Sequence, residues 1–196
     1  MSRRVRGRTA MVIVGFALAA AVGHALRLPF PYVPPSARLL AALVAGAVLG
    51  PRRGAAAMGL YALGYLAVAL LVAVPWAHLR AVQWALALPP DLGYALGLPA
   101  CAAIVGCLAG PDRKPARARL LAAGAQGLLA ADAIGVALLA WLLPPRLPEP
   151  LAPGGLLRVG LLFPLPWDLA QVAVAVWLVP YLRRRAPWLA FTEKSL

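Results

Sequence analysis

Acidic side chains are scarce in this sequence, with six Asp and Glu among 196 residues against nineteen Lys and Arg. Histidine and cysteine occur twice each, and lysine only at Lys114 and Lys194. Each shortage excludes something. Neither lysine follows a glycine-rich run, so no GxxxxGK[ST] loop exists and the chain cannot bind and hydrolyse ATP by a P-loop of its own. His24 and His78 lack neighbours at ligand spacing and no HExxH occurs, so no metal is assigned. Cys101 and Cys107 stand six residues apart, about 240° around a helix axis. They form no disulfide or zinc pattern and read as small apolar members of a lipid-buried helix. An acid–base pair within the membrane needs two nearby carboxylates, and only Asp132 lies in the interior of an apolar run. The chain is therefore read as not an enzyme, with no cofactor.

Charge of either sign is also thin. Charged residues make up 13% of the chain and apolar residues 63%, with a mean hydropathy of +0.81. A soluble domain is roughly half apolar and about a quarter charged, so this chain has too little polar surface to coat a soluble globule. Intrinsic disorder needs low hydrophobicity and is excluded as well. The composition describes an all-α integral membrane protein whose first partner is the lipid bilayer. A net charge of +13 would suggest nucleic acid in a soluble chain. Here it sorts loops between the two sides of a membrane, and no nucleic-acid partner is expected.

Apolar runs bounded by Arg or Pro clusters predict six transmembrane helices, at about residues 9–26, 36–50, 54–74, 92–109, 119–143 and 167–182, in a single domain covering 1–196. The first, with its basic start, is read as a retained helix and not a cleaved signal peptide, because Gly23-His24-Ala25 leads into Leu26-Arg27 without a small-residue exit. The second and sixth are short for a hydrocarbon core of about 30 Å, which asks for tilt, thinning or helical extension. Six spans put both termini on one side. That side carries four basic residues at the amino terminus, two at Arg52-Arg53, four between Arg113 and Arg119, and four in the tail. The other side holds Arg27, Arg38, Arg80, Arg146 and Arg158. By the positive-inside rule both termini are cytoplasmic, in a multi-pass protein of the cell's inner (plasma) membrane.

Proline follows the opposite bias. Fourteen of the twenty prolines fall in the three outer connections, near Trp76, Trp84 and Trp167. Stiff aromatic loops of this kind form either the walls of an outward-facing site or proline-ended helices with an interfacial aromatic belt. Asp132, midway along the fifth span, costs about 2.5–3.5 kcal/mol at a bilayer centre unless paired or wetted. It therefore handles a ligand or proton, or it makes a structural hydrogen bond. Asp168 and Gln171, three apart at the outer start of the sixth span, share a helix face. There the carboxylate serves either a ligand or the helix N-terminus. Tyr94, Trp76, Trp84 and Arg38 are placed to face the same outer vestibule. Tyr61 and Tyr65 share one face of the third span, for binding or packing. In the first span Ala17, Ala21 and Ala25 recur every four residues, a small-residue stripe that lets another helix approach closely.

Several segments carry a family likeness. Leu28-Pro29-Phe30-Pro31-Tyr32-Val33-Pro34-Pro35, followed by Leu43-Val44-Ala45-Gly46-Ala47-Val48-Leu49-Gly50-Pro51-Arg52-Arg53-Gly54, resembles the BioY family, the biotin-binding S components of energy-coupling factor (ECF) transporters. The second stretch is similar to a family pattern LAG-x-x-LGPRRG. Pro89-Pro90-Asp91-Leu92-Gly93-Tyr94 looks like the family's GPTGGYLLG segment, and Phe163-Pro164-Leu165-Pro166-Trp167-Asp168-Leu169-Ala170-Gln171 its PF-x-PGD-x-x-K segment. The resemblance implies a six-helix subunit of a vitamin importer that captures biotin or a biotin-like compound from outside. It implies docking on a transmembrane subunit and two ATPases through the alanine stripe, here Ala17 and Ala21, or a homo-oligomer where the chain works alone. It implies Asp168 as a ligand contact. Three departures fall near the ligand: Gln171 replaces a lysine, Ser36-Ala37-Arg38 replaces TLQ, and Val74–Arg80 replaces a glycine-rich segment. The S component of another vitamin importer and a membrane scaffold without a pocket are the alternatives.

Overall fold

A backbone surrounded by lipid must close its hydrogen bonds within the chain, and this chain does so almost entirely as helix. The computed structural model describes residues 3–28, 33–73, 88–112, 115–143 and 153–186. Helix α1 spans Arg3–Ala25, α2 Arg38–Leu49, α3 Pro51–Ala73, α4 Leu92–Ala109 and α5 Arg117–Leu142. A short α6, Pro153–Leu157, runs through a π-helical turn at Arg158–Leu162 toward α7, Leu165–Arg185. Among the described residues there is no strand, only an isolated bridge between Arg27 and Ser36. Among the described residues, five helical stretches are long and apolar enough to cross a membrane: α1, α3, α4, α5 and the Gly154–Arg185 run. Large apolar side chains such as Leu18, Leu63, Leu129 and Trp177 stay exposed on them, the outward surface a lipid-facing helix needs.

The predicted runs overlap these helices but their ends shift, and Arg183-Arg184-Arg185, read as a tail, form the last turn of α7. The amino-terminal arginines lie inside α1, and Pro51-Arg52-Arg53 forms the first turn of α3 in place of a loop. Pro51 suits that position because its fixed φ is helical and its missing N–H is not needed there. Gly50 alone joins α2 to α3, at a φ of 81° that disfavours side chains.

Helix α2 has 12 residues, about 18 Å, which is shorter than a hydrocarbon core. The chain before it is irregular yet buried at Val33 and Ser36, so its polar groups need partners. Ala37 N donates to Gly23 O at 2.9 Å, and Leu28 N to Pro35 O at 3.0 Å. Ser36 O accepts from Trp167 Nε1 at 3.2 Å and Gln171 Nε2 at 3.1 Å. The residue at the N-cap is Ala37, whose side chain cannot cap. Gln171 Oε1 reaches across from α7 and accepts from Leu40 N at 2.9 Å, satisfying one of the free donors of the first turn.

Helices α4 and α5 pack most extensively, through a Gly93-x-x-x-Gly97 step on α4 and Gly127, Ala131 and Gly135 on α5. A Cβ on Gly97 would stand 2.8 Å from the Ala131 backbone, and one on Gly93 2.9 Å from Gly135 O. Only small residues permit this approach. At the opposite end of α7, the buried Arg183 donates to Ala47 O, Gly110 O and Asp112 O, with Nε–Ala47 O at 3.1 Å. One guanidinium thus satisfies carbonyls at the ends of α2 and α4 and in the turn that follows.

The alanine stripe of α1 divides. Ala17 and Ala20 are buried because this face packs on α2 and α3, while Ala21 is exposed beside Gly15 and Ala19. Ala17 is therefore packed in the core of the bundle, and Ala21 is the member of the expected pair that lies on the surface. Cys101 is buried and Cys107 exposed, consistent with their opposed positions around α4.

Candidate functional site

The irregular segment before α2 meets α4, α5 and the start of α7 around a small cavity of about 40 Å³. Arg38, Tyr94, Asp132 and Asp168 all line it, with Ser36, Leu98 and a wall of Val33, Pro34, Pro35 and Pro164. The close crossing of α4 and α5 delivers two of these groups. Gly135 leaves room for the Tyr94 ring, into which any Cβ would project, and Asp132 follows Ala131, the residue packed on Gly97. The Tyr94 hydroxyl donates to Gly160 O at 2.5 Å. That carbonyl lies in the π-helical turn, where the ladder is loosened and carbonyls take outside donors.

Asp132 is 6% exposed and its carboxylate takes no hydrogen bond from the described residues, so its free acceptors face the cavity. Asp168 does not cap a helix. The N-cap position of α7 falls on Pro164, without a side-chain cap, and Asp168 N already donates to Pro164 O at 3.1 Å. Its carboxylate instead accepts from Gln171 Nε2 at 3.1 Å. Gln171 is placed behind the cavity and does not line it. Its amide bridges Asp168, Ser36 and Leu40, so its work is to hold the segment before α2 against α7.

Arg38 looks both ways. Its Nη1 donates to Asp91 Oδ2 at 3.0 Å and Nη2 to Asp91 O at 3.2 Å, and the ion pair is buried on both sides. Tyr65 Oη donates to Asp91 Oδ1 at 2.8 Å. His24 stands edge-on to the Tyr65 ring, with centroids 4.7 Å apart. Its Nε2 lies 2.5 Å from Arg27 Nη2 and its Nδ1 3.2 Å from Arg38 Nη1. A neutral imidazole accepts at only one of these nitrogens. Tyr61 stacks on Tyr65 at 6.1 Å. The sequence reading missed Asp91 as a site residue; its signal was an acid beside Pro89-Pro90 at the mouth of an apolar run. Trp76 and Trp84, expected in the vestibule, lie outside the described residues.

The cavity therefore combines a rigid apolar wall, two carboxylates and an internally paired arginine. Its lining offers an apolar surface and a few polar groups that a small molecule could contact. The family model described as "BioY family" matches residues 1–188. No curated protein matches the chain. A crystal structure of the S-component for biotin from an ECF-type ABC transporter shares the fold, with a TM-score of 0.63 at 17% identity over 94% of this chain and 95% of that one.

Proposed function

Because the chain belongs to the BioY family, we propose that it is the substrate-binding membrane subunit of a vitamin importer, capturing biotin or a biotin-like compound from outside. The cavity carries this reading: Arg38, Tyr94, Asp132 and Asp168, picked out by their cost or position in an apolar chain, share one wall-lined space. A scaffold that had lost its pocket would have no reason to retain them there. With no P-loop of its own, the subunit works with an energising module of a transmembrane protein and two ATPases, or as a homo-oligomer where it acts alone. In the cell's inner membrane α2 completes a sixth span together with the irregular segment before it. Both termini then face the cytoplasm with most of the basic residues.

The test is equilibrium binding of purified protein to biotin, its neutral derivatives and a panel of other vitamins. Binding of a biotin compound with Kd of roughly nanomolar order, weakened at least about tenfold by Asp168→Asn, is expected. A fold-matched protein that binds none of the biotin compounds would turn the assignment toward another vitamin or toward a scaffold.

A further inference from the structure

Positive charge exceeds negative in the cluster that reaches the cavity from α1, α2 and α3. Arg27, His24, Arg38, Asp91 and Tyr65 are joined by contacts of 2.5–3.2 Å. This chain of groups sets two guanidiniums against one carboxylate. Arg27 stands at its exposed end, while Arg38 is buried and is the member that lines the cavity. A guanidinium carries five N–H donors. Arg38 turns Nη1 to Asp91 Oδ2 and the His24 ring, and Nη2 to Asp91 O. Its Nε–H and a second Nη2–H remain. Those two nitrogens share one edge of the group, and an edge of this kind matches the two oxygens of a carboxylate. Ser36, whose hydroxyl can also donate, lines the cavity beside it.

The acids of the cavity leave this cation alone. Arg38 forms its ion pair with Asp91 at 3.0 Å and, among the described residues, none with Asp132 or Asp168, which line the same space from α5 and α7. A cation on one side and free acceptors on the other suit a molecule with an acidic end and an N–H-bearing end. The similar segment of α7 carries a lysine where this chain has Gln171. That amide is taken up by Ser36, Asp168 and Leu40, so the cation facing the cavity stands on α2 instead. We infer that Arg38 holds the carboxylate of the ligand, with Asp91 and Tyr65 fixing the guanidinium in place. At about 40 Å³ the cavity is smaller than the few hundred Å³ of an occupied ligand site, so the ligand widens it on entry. The inference rests on the proposed capture of a biotin-like acid and names the group that reads its acid end.

Matched acids and amides provide the test. The full chain in lipid nanodiscs is titrated with biotin and its primary amide, and with lipoate and lipoamide. Biotin is expected to bind about tenfold or more tightly than its amide, as a hydrogen bond to a charged group implies. Arg38→Gln together with Asp91→Asn removes the cation and its counter-ion in nearly the same shape. It should bring acid and amide to about equal affinity, with the thermal transition showing a folded protein. Asp91→Asn alone keeps Arg38 and releases it from its partner, and should widen the ratio. A wild-type protein that binds both forms equally, or a double variant that keeps the preference, overturns the role of Arg38 while biotin capture stands. Should the double variant not fold, the single one decides, because a ratio that Asp91→Asn leaves unchanged also overturns it. If only lipoate binds ahead of its amide and the double variant abolishes that preference, Arg38 keeps its role and the biotin assignment falls. Failure of every compound to bind overturns both.

Discussion

Removing the Asp91 carboxylate would strand Arg38 as a buried cation, and that is the most damaging single change the site allows. Asp91→Ala is expected to lower stability by about 3–5 kcal/mol, whereas the double change Arg38→Met with Asp91→Leu should recover most of it, since an apolar pair can replace a buried ion pair at little cost. Thermal or denaturant unfolding of the two proteins in the same detergent decides the point. If the double variant is no more stable than the single, the damage comes from lost packing and not from stranded charge. This pairing links residues 53 apart in the chain and was not legible beforehand. Asp132 and Asp168 were legible, because a charge inside an apolar run is costly wherever it lies. What Gln171 does was not. Its direction depends on how α7 is rotated and on the absence of a capping side chain at Ala37, neither of which one residue's neighbours reveal.

At the level of elements, glycine decides which helices meet. Gly135→Ala places a methyl group in the space of the Tyr94 ring. It should cost about 1–3 kcal/mol through overpacking and weaken ligand binding by moving Tyr94 off the wall. Gly59, in α3, is the control, because a Cβ there would meet nothing within 4 Å. Gly59→Ala should leave binding unchanged and add about 0.4–1 kcal/mol of stability. Equal losses in both variants would mean that glycine acts through helix flexibility and not close approach. The spans themselves were legible because Arg and Pro mark their ends, and α4 begins and ends where the apolar run does. The rotation of α1 was not: a four-residue alanine repeat puts Ala17 and Ala21 about 40° apart on the helix, and the boundary between core and surface falls between them.

The whole molecule has an apolar surface suited to lipid, and the proposed topology puts most of its basic residues on one side. Arg52, exposed at the start of α3, reports on orientation. In a variant lacking Cys101 and Cys107, Arg52→Cys should resist an impermeant maleimide in intact cells and react with a permeant one; ready labelling by the impermeant reagent would invert the topology. Ala21→Trp, on the exposed face of α1, should abolish co-purification with an energising module while ligand binding persists. Retention of the module would place that contact elsewhere. The last consequence comes from Arg183, about 22 Å along α7 from Asp168. With one side chain it bonds carbonyls of α2, of the α4 end and of the turn after α4, so the polar groups at that end of the bundle are closed within the protein. Liposomes carrying the protein alone are therefore expected to hold an ion gradient as well as protein-free ones do.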